Sequence, residues 1–299
     1  MRPLRLGSKH DPCTLPDPGT IPVKRCYALL CSYDGGAFSG FQRQPPLPTI
    51  QGALEDALAS LGCKTRIEGA GRTDAGVHAR RQVVSFRTRD ELPPLPELLR
   101  LLRERLPPAL QVLEAASPPH SFHARFSAVS KAYLYRVAAL AAPDEAVART
   151  AWTLPDPRGF PDLEGPITEL DEDAMRTVLD RCMGAHDFSN LIHPKGEGKR
   201  RRILSRAELH ATPAEGGGTL YDITLVAPGF LRHQVRNIVG VCVTAGLGRL
   251  PEGAIDQLLS GEGDRWRGPR APGRGLTLWD VRYRHGEDPF RGTGASAAS

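Results

Sequence analysis

The sequence predicts an α+β fold in which two similar halves share one β-sheet. Between about residues 23 and 285, short segments with strand-like alternation are separated by longer segments with helical periodicity. The second half of the chain repeats the rhythm of the first, as expected for two related α+β units. With 299 residues, 40% of them hydrophobic and 24% charged, the chain has the composition of a globular protein of one or two domains.

In the first half, a strand is predicted at residues 27–33 and a helix follows it. Thr49 is a suitable N-cap for this helix, because its hydroxyl can accept a hydrogen bond from a free N–H of the first turn, and Gly62 is a suitable stop. A leucine-rich helix is predicted after Pro96. Further strands are predicted at residues 82–86 and 110–113.

In the second half, the predicted elements begin with a strand at residues 132–137. A helix is predicted at 171–183, because Gly184 lies just past its last apolar position. The remaining predicted elements are strands at 203–210, 220–226 and 276–283 and a long helix at 231–247.

The two ends of the chain lack periodicity. Residues 1–22 are rich in proline and glycine, and residues 286–299 end in glycine, serine and alanine, so both are predicted to be disordered. We therefore expect an N-terminal half at residues 23–125 and a C-terminal half at residues 126–285. The predicted connections are a proline-rich segment at 144–166 and polar loops at 193–202 and 212–219.

Charge and motif content restrict the function classes. A net charge of +5 permits a polyanionic partner without requiring one. No run of about 18 apolar residues predicts a transmembrane helix, and no apolar signal core follows the N-terminus, so we expect a cytoplasmic location. The six cysteines form no C-x-x-C pair and the histidines no H-E-x-x-H motif, so a metal site is not predicted.

The stretch GAGRTDAGVHA, residues 69–79, combines glycines with charged side chains. Gly69 and Gly71 fit the start of a dinucleotide-binding G-x-G-x-x-G motif, but Asp74 stands where the third glycine belongs and would repel a pyrophosphate. Gly71 and Gly76 have P-loop spacing, but the P-loop lysine is missing. The open alternatives are a turn between two strands, or a loop that presents Asp74 as a nucleophile or base in a partly dry cleft.

The longer stretch GAGRTDAGVHARRQVVSF closely resembles the central motif of the TruA family of tRNA pseudouridine synthases. Six further segments are similar to motifs of that family and occur in the same order, so the resemblance covers roughly residues 23 to 285. These segments are YDGGAFSGFQRQ (33–44), TIQGALEDAL (49–58), SFHARFSAVSKAYLYRV (121–137), HDFSN (186–190), GFLRHQVRNIVG (229–240) and GLTLWDVRY (275–283).

The resemblance implies the pseudouridine synthase fold, with a mainly antiparallel mixed sheet and the active-site cleft between the halves. It also implies that uracil is detached from C1′ of a uridine, rotated, and rejoined through C5, with no cofactor and no metal. Asp74 is then the catalytic aspartate, which either attacks the substrate covalently or deprotonates C2′. The implied substrate is tRNA, modified in the anticodon stem-loop at tRNA positions 38, 39 and/or 40, and the implied assembly is a homodimer.

Three further side chains are expected to bind the substrate. Arg72 is expected to fill the space left by the flipped base or to hold a phosphate. Tyr133 aligns with the substrate-binding tyrosine of the family, and its ring can stack on uracil. Arg236, with Arg232 at i−4 on one basic helix face, is expected to pair with Asp74 and keep its carboxylate ionised.

Other basic residues are candidate RNA contacts. After HDFSN, the sequence LIHPKGEGKRRRI departs from the family pattern and resembles a phosphate-tracking patch. His78 is expected to have a structural hydrogen-bonding role. The candidate RNA contacts are Arg43, Arg232, His233, Lys199, Arg200, Arg201 and Arg202.

Two other functions compete with the isomerase. A non-catalytic RNA-binding module on the same scaffold would not need Asp74. A metal-dependent nuclease or phosphatase would need clustered acidic ligands, and the motifs contain none.

Overall fold

The computed structural model describes residues 24–192, 200–261 and 264–291. These residues form eleven β-strands and six α-helices. The helices are α1 Ile50–Ser60, α2 Leu95–Arg105, α3 Glu145–Thr150, α4 Glu172–Cys182, α5 Gln234–Gly246 and α6 Ala254–Ser260. The strands are β1 Arg25–Tyr33, β2 Glu68–Gly69, β3 His78–Thr88, β4 Leu110–Ala116, β5 Ala128–Leu140, β6 Trp152–Leu154, β7 Gly184–Asp187, β8 Arg201–Leu204, β9 Arg206–Pro213, β10 Gly218–Ala227 and β11 Leu276–Tyr283.

Nine of the strands that the structure describes form one sheet. Its order is β4-β1-β3-β11-β5-β10-β9, with β2 beside β3 and β6 beside β5. All neighbours are antiparallel except the pairs β3–β11 and β5–β6. The predicted α+β class with a mainly antiparallel mixed sheet is therefore confirmed. Strands β7 and β8 form a separate two-stranded sheet.

The last strand, β11, lies at the centre of the large sheet. On one side Thr277 and Leu278 pair in parallel with His78 and Ala79 of β3. On the other side β11 runs antiparallel to β5, with Leu278 opposite Tyr133. Among the strands that the structure describes, the first group, β4-β1-β3, is therefore hydrogen-bonded to the second, β5-β10-β9, only through β11.

Helices α1, α2, α4, α5 and α6 bury their apolar faces in one core that runs through both halves, whereas α3 packs Val147 against a small separate cluster. Thr49 is the N-cap of α1, as predicted, because its side chain accepts a hydrogen bond from the N–H of Gly52 at 3.2 Å. Helix α5 is the most deeply buried, with twelve of its thirteen residues buried, and it packs against α4. A helix that is apolar nearly all round must lie in the interior, which fixes the position of its first turn.

Several predicted boundaries are wrong for identifiable reasons. Residues 203–210, predicted as one strand, belong to two strands that are divided at Ser205. Before Ser205, β8 pairs with β7, and after it β9 pairs with β10. The predicted helix 231–247 begins only at Gln234, because His233 has a left-handed backbone with φ of 64°. The predicted connection at 144–166 contains α3 and β6, and β6 extends the sheet by pairing with β5.

The predicted loops and tail also differ in part. The polar loop predicted at 193–202 includes the start of β8, and the loop predicted at 212–219 is a shorter turn between β9 and β10. In the tail, Arg291 contacts Asp280 through its Nη2 atom at 2.6 Å. The predicted leader 1–22 lies outside the described residues. Within the described ranges, no helix has the length and apolar character needed to cross a membrane.

Candidate active site

A cleft of about 1050 Å³ opens between the two halves. The first half contributes the loop before α1 and the loop between β2 and β3, and the second half contributes the start of β5 and the segment before α5. The ionisable side chains that line it are Arg66, Glu68, Arg72, Asp74, Arg125, Lys131, Arg202, Arg232, His233 and Arg236.

Asp74 lies in the loop that leaves β2 and enters β3. The loop is tied at both ends, because the N–H of Ala70 donates to Val83 at 2.8 Å and the N–H of Val77 donates to the carbonyl of Asp74 at 3.2 Å. Its middle is held by the N–H of Phe41, which donates to the carbonyl of Thr73 at 3.0 Å. The loop that presents Asp74 is therefore fixed by backbone hydrogen bonds.

Gly40 explains how a second loop approaches the Asp74 backbone so closely. Its φ is +98°, which favours glycine. A Cβ atom there would lie 3.0 Å from the carbonyl oxygen of Thr73 and 3.2 Å from both the nitrogen of Ala75 and the carbonyl carbon of Asp74. Any side chain at this position would push on the backbone that carries the carboxylate.

A buried polar network supports the loop from beneath. The Nε2 atom of Gln82 donates to the carbonyl of Gly71 at 2.7 Å and to the hydroxyl of Tyr33 at 3.3 Å. The hydroxyls of Tyr33 and Thr73 lie 2.9 Å apart. Burial raises the pKa of Tyr33 to about 12, so its hydroxyl remains a hydrogen-bond donor at neutral pH.

The Asp74 carboxylate contacts one guanidinium group and one imidazole ring. Its Oδ2 atom lies 3.1 Å from Nη1 of Arg236 and 3.4 Å from Nε2 of His233. Arg236 is oriented by a second bond, because its Nε donates to the carbonyl of Ala271 at 2.7 Å. The predicted ion pair between Arg236 and Asp74 is therefore present. The Asp74 side chain keeps 30% exposure, which leaves it accessible from the cleft.

His233 is held in its neutral form beside this pair. Burial, together with the nearby charges of Arg270, Arg236 and Arg232, lowers its pKa to about 4, although Asp74 acts in the opposite direction. Nη1 of Arg270 lies 3.0 Å from Nδ1 of His233, and only an unprotonated Nδ1 can accept that bond. The remaining proton is therefore on Nε2, which points to Asp74.

The prediction that Arg232 and Arg236 share one helix face is wrong. Arg232 precedes the first turn of α5, and the left-handed backbone of His233 lies between them. The spacing of four residues therefore does not place Arg232 and Arg236 on one helix face. Arg232 is exposed and still lines the cleft.

Tyr133 is buried in the cleft wall, with 8% of its surface exposed. Its ring meets the edge of Phe230 at 5.2 Å between centroids and 87° between planes. Burial raises its pKa, so the phenol stays neutral. Lys131, two residues earlier on β5, donates to the carbonyl of Pro228 at 3.4 Å, and burial lowers its pKa.

The structure brings only some of the candidate RNA contacts to the cleft. Arg72 and Arg202 line it. Arg43 lies outside it and contacts Asp56 at 2.8 Å and Glu55 at 3.4 Å, because α1 presents both carboxylates to it. Arg200 precedes β8 and Arg201 begins it, both outside the cleft lining, and Lys199 lies outside the described residues.

His78 has hydrogen bonds on both ring nitrogens. Its Nδ1 accepts from the N–H of Gly35 at 3.2 Å and lies 3.1 Å from the Asp34 carboxylate, and its Nε2 lies 3.1 Å from the carbonyl of Arg274. It thus joins the start of β3 to the segment before β11, in agreement with the expected structural role.

Sequence reasoning missed Lys131, which lines the cleft, and two residues that support cleft groups from behind, Arg270 and Gln82. Arg270 is distant from every motif-based candidate, and only the fold brings it to His233. Lys131 could have been found, because it precedes Tyr133 by two positions and therefore shares its strand face. Gln82 reads as an ordinary strand residue, and nothing in the sequence indicates its bond to the Gly71 carbonyl.

Comparison with known proteins gives consistent matches. A family model described as tRNA pseudouridine synthase matches residues 30–127 and 179–284. A tRNA pseudouridine synthase A of Roseiflexus sp. (strain RS-1) is 38% identical over 273 residues, covering 91% of this chain and 94% of the relative. That of Moorella thermoacetica is 36% identical over 265 residues, covering 86% and 99%. That of Cereibacter sphaeroides (strain ATCC 17023) is 37% identical over 268 residues, covering 88% and 98%.

Proposed function

Because the chain belongs to the tRNA pseudouridine synthase family, we propose that it converts uridine to pseudouridine in the anticodon stem-loop of tRNA, at tRNA positions 38, 39 and/or 40. The observation that carries the proposal is Asp74 in a cleft between two halves, in contact with Arg236 and His233. In the reaction the N1–C1′ bond breaks and a C5–C1′ bond forms, while C5 loses a proton and N1 gains one. Atoms and electrons balance without water or an external oxidant.

Asp74 supplies the group that this isomerisation needs at the ribose. Its carboxylate either attacks C1′ and forms a covalent intermediate, or removes a proton from C2′ to give a glycal. Arg236 and the Nε2–H of His233 contact the same oxygen, Oδ2. Among the contacts that the structure describes, none involves the other oxygen, Oδ1, so this oxygen is available to the substrate.

The cleft walls suit a detached base. Tyr133 and Phe230 form an aromatic wall, on which uracil can stack while it rotates. Enclosure matters because the detached uracil must be retained and water kept from C1′. Arg72 is exposed at the cleft, in a position to hold a phosphate or to replace the flipped uridine in the RNA stack.

The proposal extends to organisation and location. We propose that residues 23–125 and 126–285 act as the two halves of one catalytic unit, which is supported by a cleft lined from both. A homodimer and a cytoplasmic location are supported by the family resemblance alone. Sedimentation of the purified protein with and without tRNA tests the first of these.

The catalytic assignment is tested by mapping pseudouridine in unmodified tRNA after incubation with the protein. Wild type should form pseudouridine in the anticodon stem-loop, and Asp74→Asn should form none while still binding the RNA. Asp162→Asn is the matched control, because Asp162 is an exposed carboxylate that contacts Arg249 outside the cleft. A wild type without product on any tRNA, or an active Asp74→Asn variant, would refute the proposal.

A further inference from the structure

Phe126 is an apolar ring held in water. With 75% of its surface exposed, it is the most exposed large hydrophobic side chain among the described residues. It lies at the rim of the cleft that contains Asp74. A single exposed apolar side chain needs no explanation by itself. What distinguishes Phe126 is the set of contacts that hold the turn that carries it.

The turn that carries Phe126 is fixed by hydrogen bonds centred on His123. The Nδ1 atom of His123 accepts from the N–H of Arg125 at 3.1 Å and from that of Phe126 at 3.4 Å. The N–H of Ser127 donates to the carbonyl of His123 at 2.9 Å, and the hydroxyl of Ser127 accepts from the N–H of His123 at 3.1 Å. The backbone of the turn, and with it the direction of the Cα–Cβ bond of Phe126, is therefore fixed.

The same turn is anchored to the protein on two sides. The N–H of Ala124 donates to the hydroxyl of Ser85 at 2.9 Å, and the carbonyl of Ala124 accepts from the hydroxyl of Tyr283 at 2.8 Å. Nε2 of His123 lies 3.0 Å from the carboxylate of Glu68. Glu68 belongs to β2, which leads directly into the Asp74 loop, so the turn and that loop are tied together.

The side chains of His123 and Arg125 lie beside the Phe126 ring, and most of the ring is exposed. The His123 ring lies 4.4 Å from the Phe126 ring between centroids, at an angle of 42°, and the Arg125 guanidinium lies 5.5 Å from the Phe126 centroid. A flat ring beside a guanidinium is the arrangement that proteins use to stack on nucleic acid bases. In this arrangement the ring can stack on a base while the adjacent guanidinium contacts a phosphate.

The charge of the cleft selects the kind of occupant. The described lining contains Arg66, Arg72, Arg125, Arg202, Arg232 and Arg236, together with Lys131, against two carboxylates, and His233 adds no charge. Those two, Glu68 and Asp74, each already contact a basic side chain. A polyanion with exposed aromatic faces fits the excess of positive charge on this surface, which an apolar peptide would not compensate.

We propose that Phe126, with His123 and Arg125, forms a stacking platform for one unpaired nucleobase of the RNA substrate, outside the pocket that holds the target uridine. This inference rests on the proposed function, since it assigns a second nucleotide subsite to the same cleft. The platform holds the RNA strand at the rim while a different nucleotide enters the cleft toward Asp74. It contributes to binding and takes no part in the chemical step.

Binding is measured with an anticodon stem-loop RNA on an Asp74→Asn background, which separates affinity from turnover. Phe126→Ala should weaken binding by about 5- to 150-fold, the range expected for one lost base stack. Phe126→Trp should bind within a few-fold of the parent, and Phe126→Leu should behave like Phe126→Ala. Met183→Ala is the matched control, because Met183 is exposed and apolar but does not line the cleft.

A series of RNAs, each lacking one base, identifies the nucleotide. One abasic position should weaken binding to the parent strongly and binding to Phe126→Ala hardly at all, since the two changes remove the same contact. Equal affinity of Phe126→Ala and Met183→Ala would overturn the platform, as would full affinity of Phe126→Leu. A change of oligomeric state in Phe126→Ala would also overturn it, by assigning the ring to an interface between copies.

The two proposals fail in different ways. If the wild type forms no pseudouridine, the proposed function fails whatever Phe126 does. If the wild type is active and Phe126→Ala binds RNA as well as Met183→Ala, only the platform fails.

Discussion

Gly40→Ala tests whether close backbone contact behind Asp74 sets the rate of the reaction. An L-residue at a φ of +98° costs about 1–2 kcal/mol in backbone strain. The new Cβ would also lie 3.0 Å from the carbonyl oxygen of Thr73, closer than an ordinary contact, so the Asp74 loop must shift by about 0.4 Å. Because a 1 Å displacement of a catalytic group can cost about 100-fold, we expect the chemical step to slow on the order of 10-fold.

Gly165→Ala is the matched control. Gly165 has a φ of +74°, but nothing lies within 4 Å of the Cβ that alanine would add. Both variants should lose about 1–2 kcal/mol in urea unfolding, and only Gly40→Ala should slow pseudouridine formation in single-turnover reactions with excess enzyme. Equal single-turnover rates in the two variants would show that the contact at Gly40 does not position Asp74.

Three other perturbations are informative. Arg236→Gln should lower kcat by about 100-fold, because it leaves Asp74 without its guanidinium partner; single-turnover rates near wild type would contradict this. The pKa of His233 is about 4 against an ordinary value of 6.5, so the unfolded chain binds a proton that the folded protein does not. The free energy of unfolding should therefore fall by at most about 3 kcal/mol as the pH drops from 6.5 to 4, and His233→Gln should flatten that part of the curve; an unchanged slope would remove His233 as its source. Replacing Arg201 and Arg202 with glutamine should reduce the slope of log affinity for tRNA against log salt by about 1.5, whereas an unaltered slope would mean that neither contacts a phosphate.

The sequence predicts the α+β class and most helices, because their signals are local. Thr49 caps α1 through its own side chain, and Asp171 does the same for α4, whose bounds differ from the prediction by a single residue at each end. Alternation predicts the longer strands but not the short strands β2, β6 and β7, and the order in the sheet depends on long-range pairing that no local pattern records. The insertion of β11 between β3 and β5 is the clearest example.

The candidate site shows the same division. The contact of Arg236 with Asp74 was expected from motifs 162 residues apart. The predicted position of Arg232 is wrong, because helical periodicity was extended through His233, whose backbone is left-handed. The exposure of Phe126 could not be predicted either, since a phenylalanine at the start of a strand region is more often buried.

The central position of β11 has a consequence for synthesis of the protein. The pairing of Thr277 with His78 joins residues roughly two hundred positions apart, and among the described strands no other one hydrogen-bonds both groups that flank the cleft. On the ribosome, the strands of the first half emerge long before this partner exists. The nascent chain therefore carries Asp74 and Arg236 before the strand that joins their supports has been synthesised, so we expect uridine isomerisation to begin only after β11 has left the exit tunnel.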